Sequence, residues 1–166
     1  VMNDGFDGVN IQKANPFDPA DMTTATTYQA HSYRTALDIL SNADAIDIKE
    51  LALPGVHANV VRNYAIDMVE DRGDCFYIMD ISGSTIDDAV SDVTSNQFNT
   101  NYAGCYYPWV RLFDEVNNKF VLVPPTTVLP AVYGYSDKLS FPWFVPGGMT
   151  RGALSRFGVT EAKDKL

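Results

Sequence analysis

The chain has 166 residues, 46% of them hydrophobic and 20% charged, and 21 acidic against 12 basic side chains give a net charge of −9. That length suits one domain, which buries roughly 70% of the surface its unfolded chain exposes, so a core needs neither disulfide nor metal. The acidic balance, with no run of Lys or Arg, argues against a nucleic-acid backbone or an anionic membrane as partner. It fits a solvated acidic surface, or a face that meets a basic partner.

Cys75 and Cys105 lie in separate apolar runs and are expected to be buried free thiols. There is no Cys-x-x-Cys and no Cys/His pair at zinc spacing. No stretch reaches the roughly 18 apolar residues of a membrane span, and no signal peptide is read. The chain starts at Val1 rather than Met, and is expected to be a piece of something longer.

Residues 1–19 are rich in Asp, Asn, Gly and Pro and read as irregular loops. Asp18-Pro19-Ala20-Asp21 has the composition of a helix start. Ala30, Tyr33, Leu37 and Leu40 then make one apolar helical stripe, ending near Asn42. Ile46–Leu53 is a strand candidate closed by Pro54-Gly55. Asn59–Arg72 is a second helix, with Val61, Tyr64, Ala65 and Met68 as its stripe and Gly73 as C-cap. Cys75–Met79 is nearly all apolar, as in a parallel strand covered on both faces. Ser84 opens a third helix with Asp87 as its capping-box partner, and Ile86, Ala89, Val90 and Val93 form its buried side.

Tyr102–Tyr107 is the next strand, with four aromatics in the eight residues that end at Trp109. Val110–Phe113 and Lys119–Val123 flank a turn and predict an antiparallel hairpin. Pro124-Pro125 opens a fourth helix, with Pro130 in its early turns. The tail from Phe141 is aromatic, then glycine-rich, then basic at Arg151. The order predicts an α/β fold: a mixed, largely parallel sheet flanked by helices, with an antiparallel hairpin. Residues 1–166 read as a single domain.

The most catalytic-looking motif is Asp80-Ile81-Ser82-Gly83-Ser84, at the carboxyl end of an apolar strand, where open α/β sheets bind ligands. One carboxylate and two hydroxyls at alternate positions can hold Mg²⁺. The segment resembles the metal-dependent adhesion motif of von Willebrand factor A-type domains. That family also needs a Thr and an Asp from later loops, for which Thr126 and Asp137 are the candidate residue types. The structural alternative is a turn and helix N-cap. The segment lacks the spacing and Lys of a P-loop. His31 and His57 are the only histidines, and no Gly-x-Ser-x-Gly elbow supplies a nucleophile. Asp67, Glu70, Asp71 and Asp74 read as a solvated helix face, with Arg62 and Arg72 as surface pairing partners. Tyr106, Tyr107, Trp109, Phe141, Trp143 and Phe144 divide between core packing and an inter-subunit surface, where Tyr and Trp are enriched. No residue is assigned a catalytic, cofactor-binding or metal role.

Five segments in order resemble the contractile-tail sheath proteins of myophages and phage-tail-like particles. They are Leu51–Val56 with its Pro-Gly-Val turn, Arg72-Gly73-Asp74-Cys75-Phe76, Tyr102–Trp109 with Tyr-Tyr-Pro-Trp, Val121–Pro125, and Pro146–Gly152. The resemblance implies a non-enzymatic virion protein without cofactors, made in the host cytoplasm. It implies subunits that polymerise helically around a tail tube protein and contract to drive the tube through the host envelope. Partners are then other sheath subunits and the tube, with no direct nucleic acid and no membrane insertion. Two departures stand out. Family members are usually longer, with terminal arms that add strands to neighbours' sheets. Asp80-Ile81-Ser82-Gly83-Ser84 also stands where a Pro-containing turn is frequent. A Mg²⁺-dependent adhesion module and a small α/β enzyme are the alternatives.

Overall fold

The computed structural model describes residues 22–163. The helix-start signal at residues 18–21 lies outside them. In the described residues, α1 spans Tyr28–Leu40, with Ala30 and Leu37 buried and Tyr33 and Leu40 packed at the margin of the core. The expected stripe therefore faces inward.

Three short strands, β1 (Glu50–Ala52), β2 (Phe76–Asp80) and β3 (Ala103–Tyr106), form a parallel sheet with β2 in the centre. β1 is shorter than the expected Ile46–Leu53. The carbonyl of Ile46 accepts from the Arg72 guanidinium at 2.9 Å, so a side chain takes the place of a ladder partner there. Arg72 also donates to the Leu40 carbonyl and pairs with Asp74 at 2.8 Å, stitching the chain after α1 to the end of α2 (Asn59–Arg72). Gly73 ends α2 with φ +69°, the left-handed conformation that favours glycine at a C-cap.

Side-chain alternation along β2 gives the sheet two covered faces. Cys75, Tyr77 and Met79 join the core built with α1 and α2. Phe76 stacks on Tyr133 of α4 (Leu129–Leu139), and Asp80 bonds Thr126, so the other face looks toward α4 and the turn before it. Full burial of each Val or Leu in such a core contributes about 1.5–3 kcal/mol.

β4 (Trp109–Asp114) and β5 (Lys119–Val123) form the expected hairpin, in the register Val110↔Val123 to Asp114↔Lys119. The fold class holds as α/β, with parallel strands and an antiparallel hairpin. The two kinds of strand occupy separate sheets. β6 (Val159–Lys163) adds to the free edge of β4 and was not foreseen, because Val-Thr-Glu-Ala-Lys carries a single buried apolar residue. Val110, Val128, Val132 and Val159 form the second core, between this sheet and α4. A cis Tyr107–Pro108 peptide lies between β3 and β4. Pro125–Thr127 is a 3₁₀ turn, and Pro130 falls in the first turn of α4, as expected. Both cysteines are free, Cys75 buried and Cys105 half-buried.

Two expectations for α3 (Ile86–Asn96) are corrected. Ser84-x-x-Asp87 and Thr85-x-x-Asp88 are both capping-box frames, and the structure uses the second: Thr85 Oγ1 accepts the Asp88 N–H, and Asp88 accepts the Thr85 N–H. The apolar stripe does not turn inward either. Only Ala89 is buried; Ile86 is 62% and Val90 57% exposed.

Tyr77 is fully buried and its hydroxyl has no hydrogen-bond partner, while burial pushes its pKa up. An unpaired buried hydroxyl costs about 1–3 kcal/mol. Tyr77→Phe is therefore expected to raise the melting temperature by a few degrees in a thermal scan; a fall of that size would mean the hydroxyl has a partner.

Candidate functional site

The carboxyl ends of the parallel strands meet a cleft of about 620 Å³ lined by His57, Asn59, Ile81–Ser84, Trp109 and the Asp88, Ser91, Asp92, Ser95 and Asn96 side of α3. Two carboxylates organise this region: Asp92 of α3 lines the cleft, and Asp80 at the end of β2 lies buried behind it.

Asp80 closes β2 and is 3% exposed. Its Oδ2 accepts the Gly55 N–H at 2.8 Å and the Thr126 hydroxyl at 2.5 Å, and its Oδ1 accepts the Thr126 N–H at 3.2 Å. Burial pushes the carboxyl above the usual carboxylate range, against the opposing pull of those donors. A carboxylate offers about four lone-pair directions. Asp80 thus ties three segments together: the end of β2, the Pro54-Gly55 turn after β1, and the 3₁₀ turn after β5. Gly55 has φ +76°, so a side chain there would be strained.

Of the later-loop residue types set beside the Asp80 motif, the structure brings Thr126 to it. Asp137 is placed elsewhere, where its charge acts on Glu50 of β1. Among the described residues, no group of three or more His, Cys, Asp and Glu side chains is arranged to hold a metal ion. Gly83 lets the loop lie close on α3, since a Cβ there would come 2.8 Å from the Ala89 nitrogen.

Arg62 was expected on the surface beside Asp67, Glu70, Asp71 and Asp74. It is instead 1% exposed and forms a two-pronged pair with Asp92, at 2.7 and 2.9 Å. It also donates to Asn59, and its guanidinium lies over the Phe98 ring. Asp92 further accepts the Ser82 N–H at 3.0 Å and the Asn96 amide at 2.9 Å. Burial would raise the Asp92 pKa, but the Arg62 guanidinium and the Ser82 N–H outweigh it and hold it below the usual range. The physical reason is position: Arg62 lies within the inward arc of α2 with Val61, Ala65, Ile66 and Val69, where a cation needs a partner. Breaking such a pair typically costs about 3–5 kcal/mol. The one advance signal was an arginine inside an apolar arc with an asparagine one turn before it.

Asp67, Glu70, Asp71 and Asp74 are exposed, as expected of a solvated helix face. His31 is exposed on α1 and bonds Thr35 at 3.0 Å. His57 Nδ1 lies 3.2 Å from the Gly55 carbonyl oxygen, at the same turn that Asp80 holds. Tyr106, Tyr107 and Trp109 are half-buried, and the Tyr106 hydroxyl bonds Tyr133. Phe141, Trp143 and Phe144 are exposed, and Phe141 stacks on Trp143 at 4.7 Å between centroids. The aromatic set thus divides between core and surface. Among the described residues, no helix is long and apolar enough to cross a membrane.

Neither the protein-family models nor the curated proteins include a match to this chain.

Asp80→Ala removes the acceptor of three donors, and each orphaned donor costs about 1–3 kcal/mol. The variant is expected to lose several degrees of melting temperature, with Mg²⁺ leaving both proteins unshifted. A Mg²⁺-dependent rise in the parent that disappears in Asp80→Ala would instead favour a metal site.

Burial and then the charge of Asp137 raise the Glu50 pKa to about 7. A raised carboxyl is stabilising while protonated, so its contribution is complete below the ordinary glutamate value and falls as pH rises toward about 7. Glu50→Gln is expected to flatten the decline in melting temperature between about pH 5 and 7; an unchanged slope would remove Glu50 as its source.

Proposed function

We propose that the chain is an α/β domain of a contractile-tail sheath subunit, with a structural and mechanical role in the virion tail. Its partners are further copies of itself and the tail tube. The observation that carries the reading is where the five sheath-like segments fall. Each lies at a junction of the fold and has a physical task there.

Leu51–Val56 runs from β1 into the turn held by Asp80. Arg72–Phe76 ends α2, stitches the chain after α1, and starts the central strand. Tyr102–Trp109 carries the chain from one sheet to the other. Val121–Pro125 leads from β5 to the 3₁₀ turn that delivers Thr126. In Pro146–Gly152 the backbone of Gly152 packs on Gly147, where a Cβ would meet its Cα at 2.8 Å. All five segments thus have a task at a junction of the fold, which supports the reading. The exposed aromatics after α4 add a surface suited to assembly.

A Mg²⁺-dependent adhesion module is the second reading, favoured by Thr126 beside Asp80. Against it stands the use of Asp80 as an acceptor for three protein donors.

Electron microscopy of the full-length gene product tests the sheath reading. Striated hollow cylinders are the expected result. A soluble monomer at every concentration and salt would overturn it.

A further inference from the structure

Charge is unevenly distributed along this acidic chain. No Lys or Arg occurs between Arg72 and Arg111, a stretch holding Asp74, Asp80, Asp87, Asp88 and Asp92. No Asp or Glu occurs between Asp137 and Glu161, a stretch holding Lys138, Arg151 and Arg156. Each block also carries the apolar surface that its own fold leaves uncovered.

In the acidic block that surface is α3. Helical spacing puts Ile86 and Val90 on one face, opposite the cleft-lining Asp88, Ser91 and Ser95. Asp87 flanks the apolar pair. In the basic block it is the segment after α4. Phe141, Trp143 and Phe144 stack in the open, with Trp143 75% and Met149 94% exposed. Arg151 lies over the Phe144 ring at 4.9 Å. Beside them is a hollow of about 580 Å³, lined by Leu139, Ser140, Gly147, Gly148, Met149 and Arg151.

We propose that the α3 face of one copy docks on the cationic aromatic ledge of a second copy, head to tail. Copies that each carry −9 repel one another at long range, so a basic surface that meets an acidic one favours self-association. The ledge belongs to the longest acid-free stretch of the described chain, and α3 to the longest base-free one. The partner is therefore a second copy: Asp87 beside exposed Ile86 and Val90 is complementary to Arg151 beside exposed Phe144 and Trp143. Because the two surfaces differ, the contact is heterologous and propagates into rows instead of closing as a two-fold dimer. This rests on the reading of the chain as a self-assembling subunit and names the faces that would meet.

The test is analytical ultracentrifugation of the full 166-residue chain and of Val90→Asp and Trp143→Ser. Both substitutions lie on exposed side chains, and circular dichroism checks that folding is retained. The parent is expected to grow in mass with concentration and to shrink as salt screens the charge pairs. Each variant alone is expected to associate at least about tenfold more weakly. An equimolar mixture is expected to recover a dimer, because the ledge of Val90→Asp and the α3 face of Trp143→Ser are both intact. Asp87→Arg and Arg151→Glu, each disruptive alone, are expected to restore association when combined in one chain. Oligomers that persist in both variants, or a mixture that stays monomeric, would overturn the pairing. A parent that stays monomeric would overturn it too and assign the faces to a different partner. Head-to-tail association without cylinders in micrographs of the full-length product would uphold the pairing and sink the sheath reading.

Discussion

The fold is joined at the carboxylate of Asp80. The parallel sheet belongs to one core and the antiparallel sheet to another, and a chain with two small cores needs something to fix their relation. Asp80 does this with two oxygens. Oδ2 holds both the turn that leaves β1 and the Thr126 hydroxyl, and Oδ1 adds the Thr126 N–H of the 3₁₀ turn that leaves β5 and begins the approach to α4. Burial makes the arrangement strict, because a carboxylate removed from water must be supplied with donors, and each donor would itself be costly to strand. The same logic recurs one shell outward. Arg62, buried under α2, obliges Asp92 to face it, and Asp92 in turn holds the loop after β2 through the Ser82 N–H.

How far the sequence could be read follows from which signals were local. α2 was legible to the residue because an apolar arc and a glycine C-cap agree. β2 was legible because a short, continuous apolar run suits a strand covered on both faces. The hairpin followed from its turn. β6 was not legible, since its pairing depends on an edge offered by β4 from some fifty residues earlier, as in Arg111↔Glu161. The start of α3 was ambiguous by one residue because two capping frames overlap. At the candidate site the chemistry-bearing loop was located but its use was not. Thr126 reaches Asp80 across 46 positions, and Arg62 reaches Asp92 across 30. Neither separation leaves a trace in local spacing.

The misread stripe of α3 has a different origin. Periodicity reports that a helix has an apolar side, not what that side touches. On α1 the stripe meets the core of its own chain. On α3 the backbone contact at Gly83 and the Arg62–Asp92 pair turn the polar side of the helix inward, and the apolar side follows outward. The polar network, set by one buried arginine, thereby decides which surface of the molecule is left greasy.

The segment after α4 bears on rate as well as affinity. Its rings are already stacked, Arg151 already lies on one of them, and the paired glycines at 147 and 152 close the turn behind. A body that settles there freezes few rotamers and has little backbone to reorganise, so little of the contact energy is lost to ordering. In the proposed contact between copies, such a surface would act as a socket formed before its partner arrives, which suits a contact made many times along one row.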